Sequence, residues 1–252
     1  MHLSSDIDRV APTRRPAGKN AGTQRWRDLL FLHWQVSPQE LRALVPSELE
    51  LDLFEGTAYL GVVPFAMQGV RPSWLPARLA FRFLETNVRA YVHYNGRPGV
   101  YFFSLEAASW LAVKAARVGW GLPYHYAAMK QVRDESGITR YSTTRKSATA
   151  PHLTLQYTTG EFLEPSSPDS LEFFLLERYL LFSQHKGRLQ CGQVHHPPYP
   201  AQRATLLALE ESLVAAAGVS PPQSLPPLVH YASGVDVEVF PLRAVDEKKL
   251  GP

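Results

Sequence analysis

Cysteine is almost absent from this chain of 252 residues, which contains a single thiol, Cys191. One cysteine excludes an internal disulfide and a zinc site built from several cysteines. Disulfides are rare in reducing compartments, so this scarcity favours a cytoplasmic location.

Long apolar runs are missing as well. No stretch of about 18 apolar residues occurs, so we predict no membrane-spanning helix. The N-terminal segment MHLSSDIDRVAPTRRPAGKN lacks the apolar core of an export signal. The sequence also contains neither a Gly-x-Ser-x-Gly nucleophile elbow nor a Gly-rich phosphate loop.

Positive charge is concentrated at the N-terminus. The sequence pI of about 9.0 would suggest a nucleic-acid partner if the basic residues covered a folded face. Residues 1–27 carry a charge of +4, however, whereas the whole chain carries +3, so residues 28–252 sum to about −1. We therefore predict a flexible basic tail over 1–24, a single folded domain over 25–245, and no nucleic-acid partner.

Four segments carry helix signals. Ser-Pro pairs at Ser37 and Ser167 begin two of them, because serine caps a helix and proline suits its first turn. The second of these is expected to continue as a mostly buried helix over 167–182. An Ala-rich segment over 106–117 and an amphipathic segment over 202–218 are the other two predicted helices.

Most other segments are short, rich in β-branched or aromatic residues, and bounded by Gly, Pro or Asn, which predicts strands. The pair Asn95-Gly96 predicts a tight hairpin between two of them. Many strands with few helices predict an α+β fold with a mainly antiparallel sheet.

A weak internal repeat is present. A strand, a Ser-Pro helix and further strands follow one another around residue 37 and again around residue 167. Two copies of such a unit would close one barrel around a shared interior. Chance similarity of two capped helices explains the pattern equally well, so both interpretations stay open.

The segment FRFLETNVRAYVHY, residues 81–94, is the most informative strand. Side chains alternate between the two faces of a strand, so one face carries an acid, an amide, a guanidinium, a phenol and an imidazole. This face is either solvated or the wall of a polar cavity. The residues of the face are Glu85, Asn87, Arg89, Tyr91 and His93.

The segment WGLPYHYA, residues 120–127, follows the helix that carries Arg117. By the same alternation, Tyr124 and Tyr126 point to one side and His125 points to the other. The three rings therefore cannot all serve one site. A core strand and the rim of a site are both compatible with this pattern.

Several motifs together resemble the YqjF-like family of uncharacterised bacterial proteins. They are EAASWLAVKAARVGWGLPYHYA, FLETNVRAYV, LHWQVSPQELRALVP, GRPGVYFFSLEA, LLERYLLF and VHHPPYP. The resemblance covers most of residues 25–242. It implies a fold similar to acetoacetate decarboxylase, which is a closed, cone-like β structure built from a duplicated unit around an internal cavity.

The resemblance also implies a change of chemistry. Acetoacetate decarboxylase forms an imine through a lysine in a segment of the form Trp-Gly-Phe-Pro-Lys-Lys, and activation of such a lysine is a known example of covalent catalysis. Here the two lysine positions hold Tyr124 and His125. Neither side chain has a primary amine, so imine-based decarboxylation is disfavoured. Glu85 matches a carboxylate that the decarboxylase places near its lysine.

We therefore expect a site without a metal or cofactor. Glu85 is the candidate acid or base, Arg89 or Arg117 would clamp a carboxylate, and Tyr124 or His125 would donate to a carbonyl oxygen. Asn87 is a further candidate ligand-binding residue on the same face as Glu85.

Histidines near the C-terminal half do not predict a metal site. His195 and His196 are adjacent and point apart on a strand, and His185 lies ten residues earlier, so structural packing is the better interpretation.

Three function classes follow from the sequence. The first is a protein that binds a small organic acid or carbonyl compound in an internal polar cavity. The second is a non-imine enzyme, of lyase or hydrolase type, that uses Glu85 for proton transfer. The third is a scaffold whose cavity is filled by side chains. Binding of a small molecule is the leading prediction, and self-association into a homo-oligomer stays open.

Overall fold

Long strands form most of the molecule. The computed structural model describes residues 7–185 and 187–245. In this part of the chain the strands are β1 (Gly22–Val36), β2 (Glu50–Leu51), β3 (Ala58–Pro72), β4 (Phe81–Tyr94), β5 (Arg97–Ala107), β6 (Tyr124–Arg133), β7 (Thr139–Arg145), β8 (His152–Phe162), β9 (Leu180–His185), β10 (Arg188–His195), β11 (Ala201–Glu211), β12 (Leu228–Val239) and β13 (Arg243–Ala244). The helices are α1 (Pro38–Leu44), α2 (Trp110–Trp120), α3 (Leu171–Leu176) and α4 (Leu213–Ala216).

The strands pair as one sheet in the order β13-β10-β9-β5-β6-β7-β8-β11-β12-β1-β3-β4-β2, with further pairings of β4 with β5 and β10 with β12. Because β4 also pairs with β5, the strands β5-β6-β7-β8-β11-β12-β1-β3-β4 form a ring in which each strand is hydrogen-bonded to the next. Strand β5 pairs in parallel with β6 and β9, and the other pairs are antiparallel. This confirms the prediction of a strand-rich, mainly antiparallel α+β fold with few helices.

The hairpin between β4 and β5 forms where the sequence predicted it. Asn95 and Gly96 both have positive φ, 49° and 74°, as a two-residue turn of this type requires. Tyr94 pairs with Arg97 across the turn, which sets the register of the two strands.

The predicted helix over 202–218 is wrong for most of its length. Residues 201–211 form β11, which pairs with β8 and β12, and only Leu213–Ala216 is helical. The residues have good helix propensity, but the open edges of two neighbouring strands offer a full set of backbone partners, and tertiary context overrides a weak propensity.

The other predicted helices differ at their ends. The second Ser-Pro helix covers only Leu171–Leu176, because residues 180–185 join the sheet as β9. The Ala-rich helix begins at Trp110, since Glu106 and Ala107 still belong to β5, and it ends where Gly121 adopts a φ of 61°. Helix α1 begins directly after Ser37, as predicted.

The apolar core lies on both sides of β4. Val88, Ala90 and Val92 pack into one cluster with residues of β7, β8 and β12, whereas Tyr91 packs into another with residues of β3 and α3. Residues 85–93 are therefore all buried, and the polar face of this strand is not solvated.

The segment before β1, predicted as a tail over 1–24, contacts the rest of the fold from Asp8 onward, where the Asp8 amide donates to the Gly96 carbonyl oxygen at 3.1 Å. Arg9 donates to buried Asp52, and Arg15 donates to Glu238 on β12. Residues 11–13 form a short 3-10 turn, and β1 already begins at Gly22.

No helix among the described residues is both long and apolar enough to cross a membrane.

Candidate functional site

The face of β4 that carries Glu85, Asn87, Arg89 and Tyr91 points into the protein. The relative exposures of these residues are only 3%, 5%, 8% and 1%. Strands β3 and β5 flank β4 within the sheet, since Gly61 pairs with Arg89 and Ala107 pairs with Glu85. Four hydrogen-bonding side chains are thus held in a row inside a mostly apolar interior.

Glu85 lies against Tyr124. The Tyr124 hydroxyl donates to Glu85 Oε2 at 2.7 Å, and both side chains are buried. Parallel pairing of Leu105 with Tyr124 puts the tyrosine on the face that Glu85 shares. Burial raises the pKa of Glu85 to about 8, the hydrogen bond from Tyr124 opposes this shift, and the nearby charge of Glu106 adds to it.

Further along the strand, Arg89 and Tyr91 meet His33 on β1. Tyr91 donates from its hydroxyl to the carbonyl oxygen of Leu175 on α3 at 2.9 Å, and Arg89 donates to the same oxygen at 3.1 Å. The Tyr91 oxygen also lies 2.7 Å from His33 Nε2. Burial, with the charge of Arg89, lowers the pKa of His33 well below its usual value, so this imidazole is neutral.

Glycine at position 61 makes room for the arginine. A Cβ atom at Gly61 would lie 3.3 Å from Arg89 Nε and from the Tyr91 hydroxyl oxygen. The missing side chain at Gly61 leaves space for Arg89, whose guanidinium carbon lies 5.6 Å from the ring centroid of Phe31. This contact supports the arginine on one side by a cation–π interaction.

Three buried polar atoms in this region have no hydrogen-bond partner among the described residues. They are Asn87 Oδ1, Arg89 Nε and His33 Nδ1. The Tyr91 hydroxyl hydrogen is donated to the Leu175 carbonyl oxygen, so His33 Nε2 carries a hydrogen and donates it to the Tyr91 oxygen. The other ring nitrogen of His33, Nδ1, is then an acceptor. We call the side chains of Glu85, Asn87, Arg89, Tyr91 and His33 the polar compartment.

His125 lies on the opposite face of the sheet and is not part of the polar compartment. It is the register partner of Glu106, whereas Tyr124 is the partner of Leu105. Burial, with the charges of Arg145 and Arg117, lowers the pKa of His125 to about 4. Of the two alternative donors, Tyr124 therefore lies beside Glu85, and alternation along β6 puts His125 on the other face, as the sequence predicted.

A second polar group occupies that opposite face. Glu106 is fully buried and accepts from Arg145 Nε at 3.1 Å and from Arg145 Nη2 at 2.5 Å. Ser104 donates to the other carboxylate oxygen at 3.3 Å. Burial raises the pKa of Glu106, and the two bonds from Arg145 oppose the shift. The sequence placed Glu106 at a helix start and missed this pair.

Arg117 contacts the backbone of β6 and not the carboxyl group of Glu85. Its Nε donates to the Tyr124 carbonyl oxygen at 2.5 Å. The residue itself is exposed on α2, so it does not join Arg89 in the polar compartment. Lys114, ten residues before Tyr124, is exposed on the same helix, with its Nζ 4.0 Å from the centroid of the Trp110 ring.

The lysines in the described part of the chain are all exposed. No lysine is buried in residues 7–185 and 187–245. Within those ranges there is also no group of three or more His, Cys, Asp or Glu side chains placed to hold a metal ion. His196 instead stacks on Tyr179, with ring centroids 4.4 Å apart.

Two cavities open elsewhere on the molecule, with volumes of about 590 and 230 Å³. None of the six predicted site residues lines either cavity, although Gly121 and Pro123 border the smaller one. The side chains of the polar compartment are buried, and α3 contacts them through the Leu175 carbonyl oxygen.

The sequence profile of the DUF2071 family, described as an uncharacterized conserved protein, matches residues 23–236. The chain belongs to the DUF2071 family. It is 40% identical over 222 residues to the uncharacterized protein YqjF of Bacillus subtilis (strain 168), covering 87% of this chain and 90% of YqjF. The resemblance to YqjF-like proteins is therefore confirmed.

Solved structures with the same fold extend the DUF2071 comparison. The enduracididine biosynthesis enzyme MppR complexed with pyruvate superposes with a TM-score of 0.64 at 14% identity, covering 90% of this chain and 91% of MppR. An acetoacetate decarboxylase from Legionella pneumophila gives 0.57 at 15% identity and covers 96% of both chains. An acetoacetate decarboxylase-like enzyme from Sphingomonas wittichii RW1 gives 0.60 at 14% identity, covering 90% of this chain and 94% of that enzyme. At these identities the likeness shows a shared fold.

Proposed function

We propose that this protein binds a small organic acid that also carries a carbonyl or hydroxyl group, in the polar compartment. The observation that carries the proposal is the set of buried atoms without a protein partner, Asn87 Oδ1 and Arg89 Nε above all. A buried polar atom left unpaired costs about 1 to 3 kcal/mol, and a ligand that pairs it recovers that free energy.

The chemistry of the row suggests how such a ligand is oriented. Arg89 Nε donates to the ligand carboxylate, and Asn87 Oδ1 accepts from a hydroxyl or amine hydrogen. Glu85 holds its proton below its pKa of about 8 and donates it in a hydrogen bond to a carbonyl oxygen. Side chains two apart on one face lie about 7 Å apart, which suits a molecule of a few carbon atoms.

The fold comparison supports this class of ligand. MppR, which shares the fold, is a protein whose structure contains pyruvate, a small oxo acid. Pyruvate is therefore a rational first probe for the polar compartment, with lactate as its hydroxy analogue.

The test is thermal unfolding with and without each acid. We expect pyruvate or lactate to raise the Tm of the natural protein, because a ligand that binds only the folded state stabilises it. Asn87→Leu should remove the effect of the acid, yet raise the Tm of the free protein, because it replaces an unpaired buried amide by an apolar group. Arg78→Gln, on an exposed turn, is the matched control and should keep the full response.

Proton transfer by Glu85 is a second candidate function. The observation that favours it is a buried carboxyl group with a pKa of about 8 that is held by Tyr124. Above pH about 8 the carboxylate would remove a proton from the carbon next to a ligand carbonyl, without an imine. Exchange of the pyruvate methyl protons in D2O, followed by NMR, should then be faster with the natural protein than with Glu85→Gln.

The scaffold alternative is the outcome if these experiments fail. The burial of every side chain of the polar compartment supports it. Failure of every acid to raise the Tm, together with a stabilising Asn87→Leu substitution, would establish a filled interior instead of a ligand site.

We further propose that the ring of strands is a closed cone made from a duplicated unit. Helix α1 lies between β1 and β2, and α3 lies between β8 and β9, each after a Ser-Pro pair or close to one. The equivalent order of strand, short helix and strands in both halves supports this origin.

A further inference from the structure

A cavity of about 590 Å³ opens where β1, β3, β4 and β12 come together near the start of β4. It shares no residue with the polar compartment. Its wall contains three arginines, Arg25 on β1, Arg71 on β3 and Arg82 on β4. Arg25 and Arg82 are exposed to solvent, and Arg71 is half-buried.

These three guanidinium groups have no carboxylate partner of their own. Within the described part of the chain, no acidic oxygen lies within salt-bridge distance of any of them, and the one hydrogen bond they make runs from Arg71 to the Leu75 carbonyl oxygen at 2.8 Å. Three neighbouring cations repel one another, so an anion placed among them is favoured.

Two acidic residues on the same wall are already paired outside it. Asp236 accepts from Arg27, and Glu238 accepts from Arg15 Nε at 2.6 Å and Nη2 at 2.9 Å. The hydrogen bond from Arg15 is the main reason that the pKa of Glu238 falls to about 2. Neither Arg15 nor Arg27 lines the cavity. The charges of Asp236 and Glu238 are therefore compensated by arginines outside the cavity, and the three arginines of the cavity wall stay available to a ligand.

A glycine in the cavity wall leaves space for the side chain of Arg25. Gly69 has a φ of 59°, in the left-handed region, and a Cβ atom there would lie 3.1 Å from Arg25 Nε. Any other residue would therefore be strained and would also press against the guanidinium.

The opposite rim of the cavity is apolar. Ala77, Ala80 and Phe81 line it: Ala77 begins the 3-10 turn Ala77–Leu79, Ala80 follows that turn, and Phe81 begins β4. Trp74, three residues before this turn, is 80% exposed. A cationic wall beside an exposed apolar rim suits an organic molecule that ends in a strongly charged anion.

We propose that this cavity is a second binding site, which takes the phosphate group of a phosphorylated organic molecule. A phosphate monoester carries about −1.5 to −2 charges and accepts paired hydrogen bonds from guanidinium groups, which three arginines without acidic partners can supply. A free phosphorylated metabolite and a lipid headgroup share this chemistry. The exposed Trp74 would add contact area in either case.

Calorimetric titration with inorganic pyrophosphate, at constant ionic strength set by chloride, tests the anion site. We expect binding by the natural protein, at least tenfold weaker binding by Arg25→Gln/Arg82→Gln, and unchanged binding by Arg78→Gln. Arg78 is exposed on the same loop but does not line the cavity. Because Arg25 and Arg82 are on the surface, the double variant should keep the Tm of the natural protein.

Cosedimentation with vesicles separates the two sources of phosphate. A lipid headgroup would be identified if the protein binds phosphatidylcholine vesicles that contain phosphatidic acid but not those that contain phosphatidylglycerol. Trp74→Ala should then lose this binding. Binding of pyrophosphate without cosedimentation would identify a free metabolite. No heat of binding to the natural protein, or equal binding by the double variant, would overturn the proposal and leave the function of the polar compartment unaffected.

Discussion

The Tyr124 hydroxyl donates a 2.7 Å hydrogen bond to Glu85 Oε2, and this bond joins the two strands that meet β5 on its opposite sides. The contact puts a neutral hydroxyl donor beside a carboxyl group whose pKa burial raises to about 8.

Stability should fall as pH rises because of Glu85. Its pKa in the folded protein is about 8, against 4.5 as the ordinary value, so between these values the folded state binds a proton that the unfolded state has lost. The penalty is absent below pH about 4.5 and complete above pH about 8. We measure the free energy of unfolding in urea at a series of pH values. Glu85→Gln should remove the fall of this free energy between pH 4.5 and 8, which amounts to roughly 1 to 4 kcal/mol at pH 8. Glu135→Gln, on an exposed turn, should leave the slope unchanged. Parallel profiles for Glu85→Gln and the natural protein would contradict the assignment.

Loss of the Tyr124 hydroxyl should raise the pKa of Glu85 further. The hydrogen bond from Tyr124 lowers that pKa against the effect of burial, so Tyr124→Phe removes the opposing contribution. We also expect a loss of about 1 to 2 kcal/mol in the free energy of unfolding, because a buried carboxyl oxygen loses its donor. Carbon-13 NMR of labelled glutamate carboxyl groups measures the pKa directly. Tyr126→Phe is the control, since its ring is 42% exposed and lies two residues along the same strand. A lower Glu85 pKa in Tyr124→Phe would refute the stated cause.

Asp52 should be among the least tolerant acidic residues. It is 1% exposed and accepts from Arg9 Nη2 and Arg178 Nη1, each at 2.6 Å. Asp52→Asn leaves the buried Arg178 guanidinium without a counter-charge, which costs about 3 to 5 kcal/mol in comparable buried pairs. Urea unfolding measures the loss. The exposed Asp169 serves as control, and a small loss for Asp52→Asn, equal to that of Asp169→Asn, would show that Arg178 does not depend on this carboxylate.

The Glu106–Arg145 pair should show strong coupling in a double-mutant cycle. Arg145→Met leaves a fully buried carboxylate alone, and adding Glu106→Gln removes that charge. We expect a coupling energy of about 2 to 3 kcal/mol from the unfolding free energies of the four proteins. The exposed pair of Arg140 and Asp134, with side-chain exposures of 51% and 29%, should give less than about 1 kcal/mol. Coupling energies of similar size in both cycles would mean that burial does not strengthen the inner pair.

Alternation along single strands was readable from the sequence, and contacts between distant strands were not. The shared face of Glu85, Asn87, Arg89 and Tyr91 follows from the period of a strand, as does the separation of Tyr124 from His125. His33 gave no signal as a partner of Tyr91, because the two are 58 residues apart and meet only when β1 and β4 flank β3.

Helix propensity was the least reliable guide. Residues 202–211 are rich in Ala and Leu, yet they complete the sheet between β8 and β12. A sequence pattern has no information on which strand edges the rest of the chain leaves open. The boundaries at Trp110 and Leu176 were missed for the same reason, since sheet pairing claims the residues on one side of each helix.

Strand β4 has no outward side between Glu85 and His93, because all nine residues are buried. It therefore separates two parts of the interior: the polar compartment, with Glu85, Asn87, Arg89 and Tyr91, and the apolar cluster of Val88, Ala90 and Val92. The two parts share the backbone of β4 but no side chain of that strand. Substitutions at every second position of β4 can consequently change the side chains on one face and leave the packing on the other face intact. Such substitutions are a route by which one fold acquires new ligands without a change of backbone.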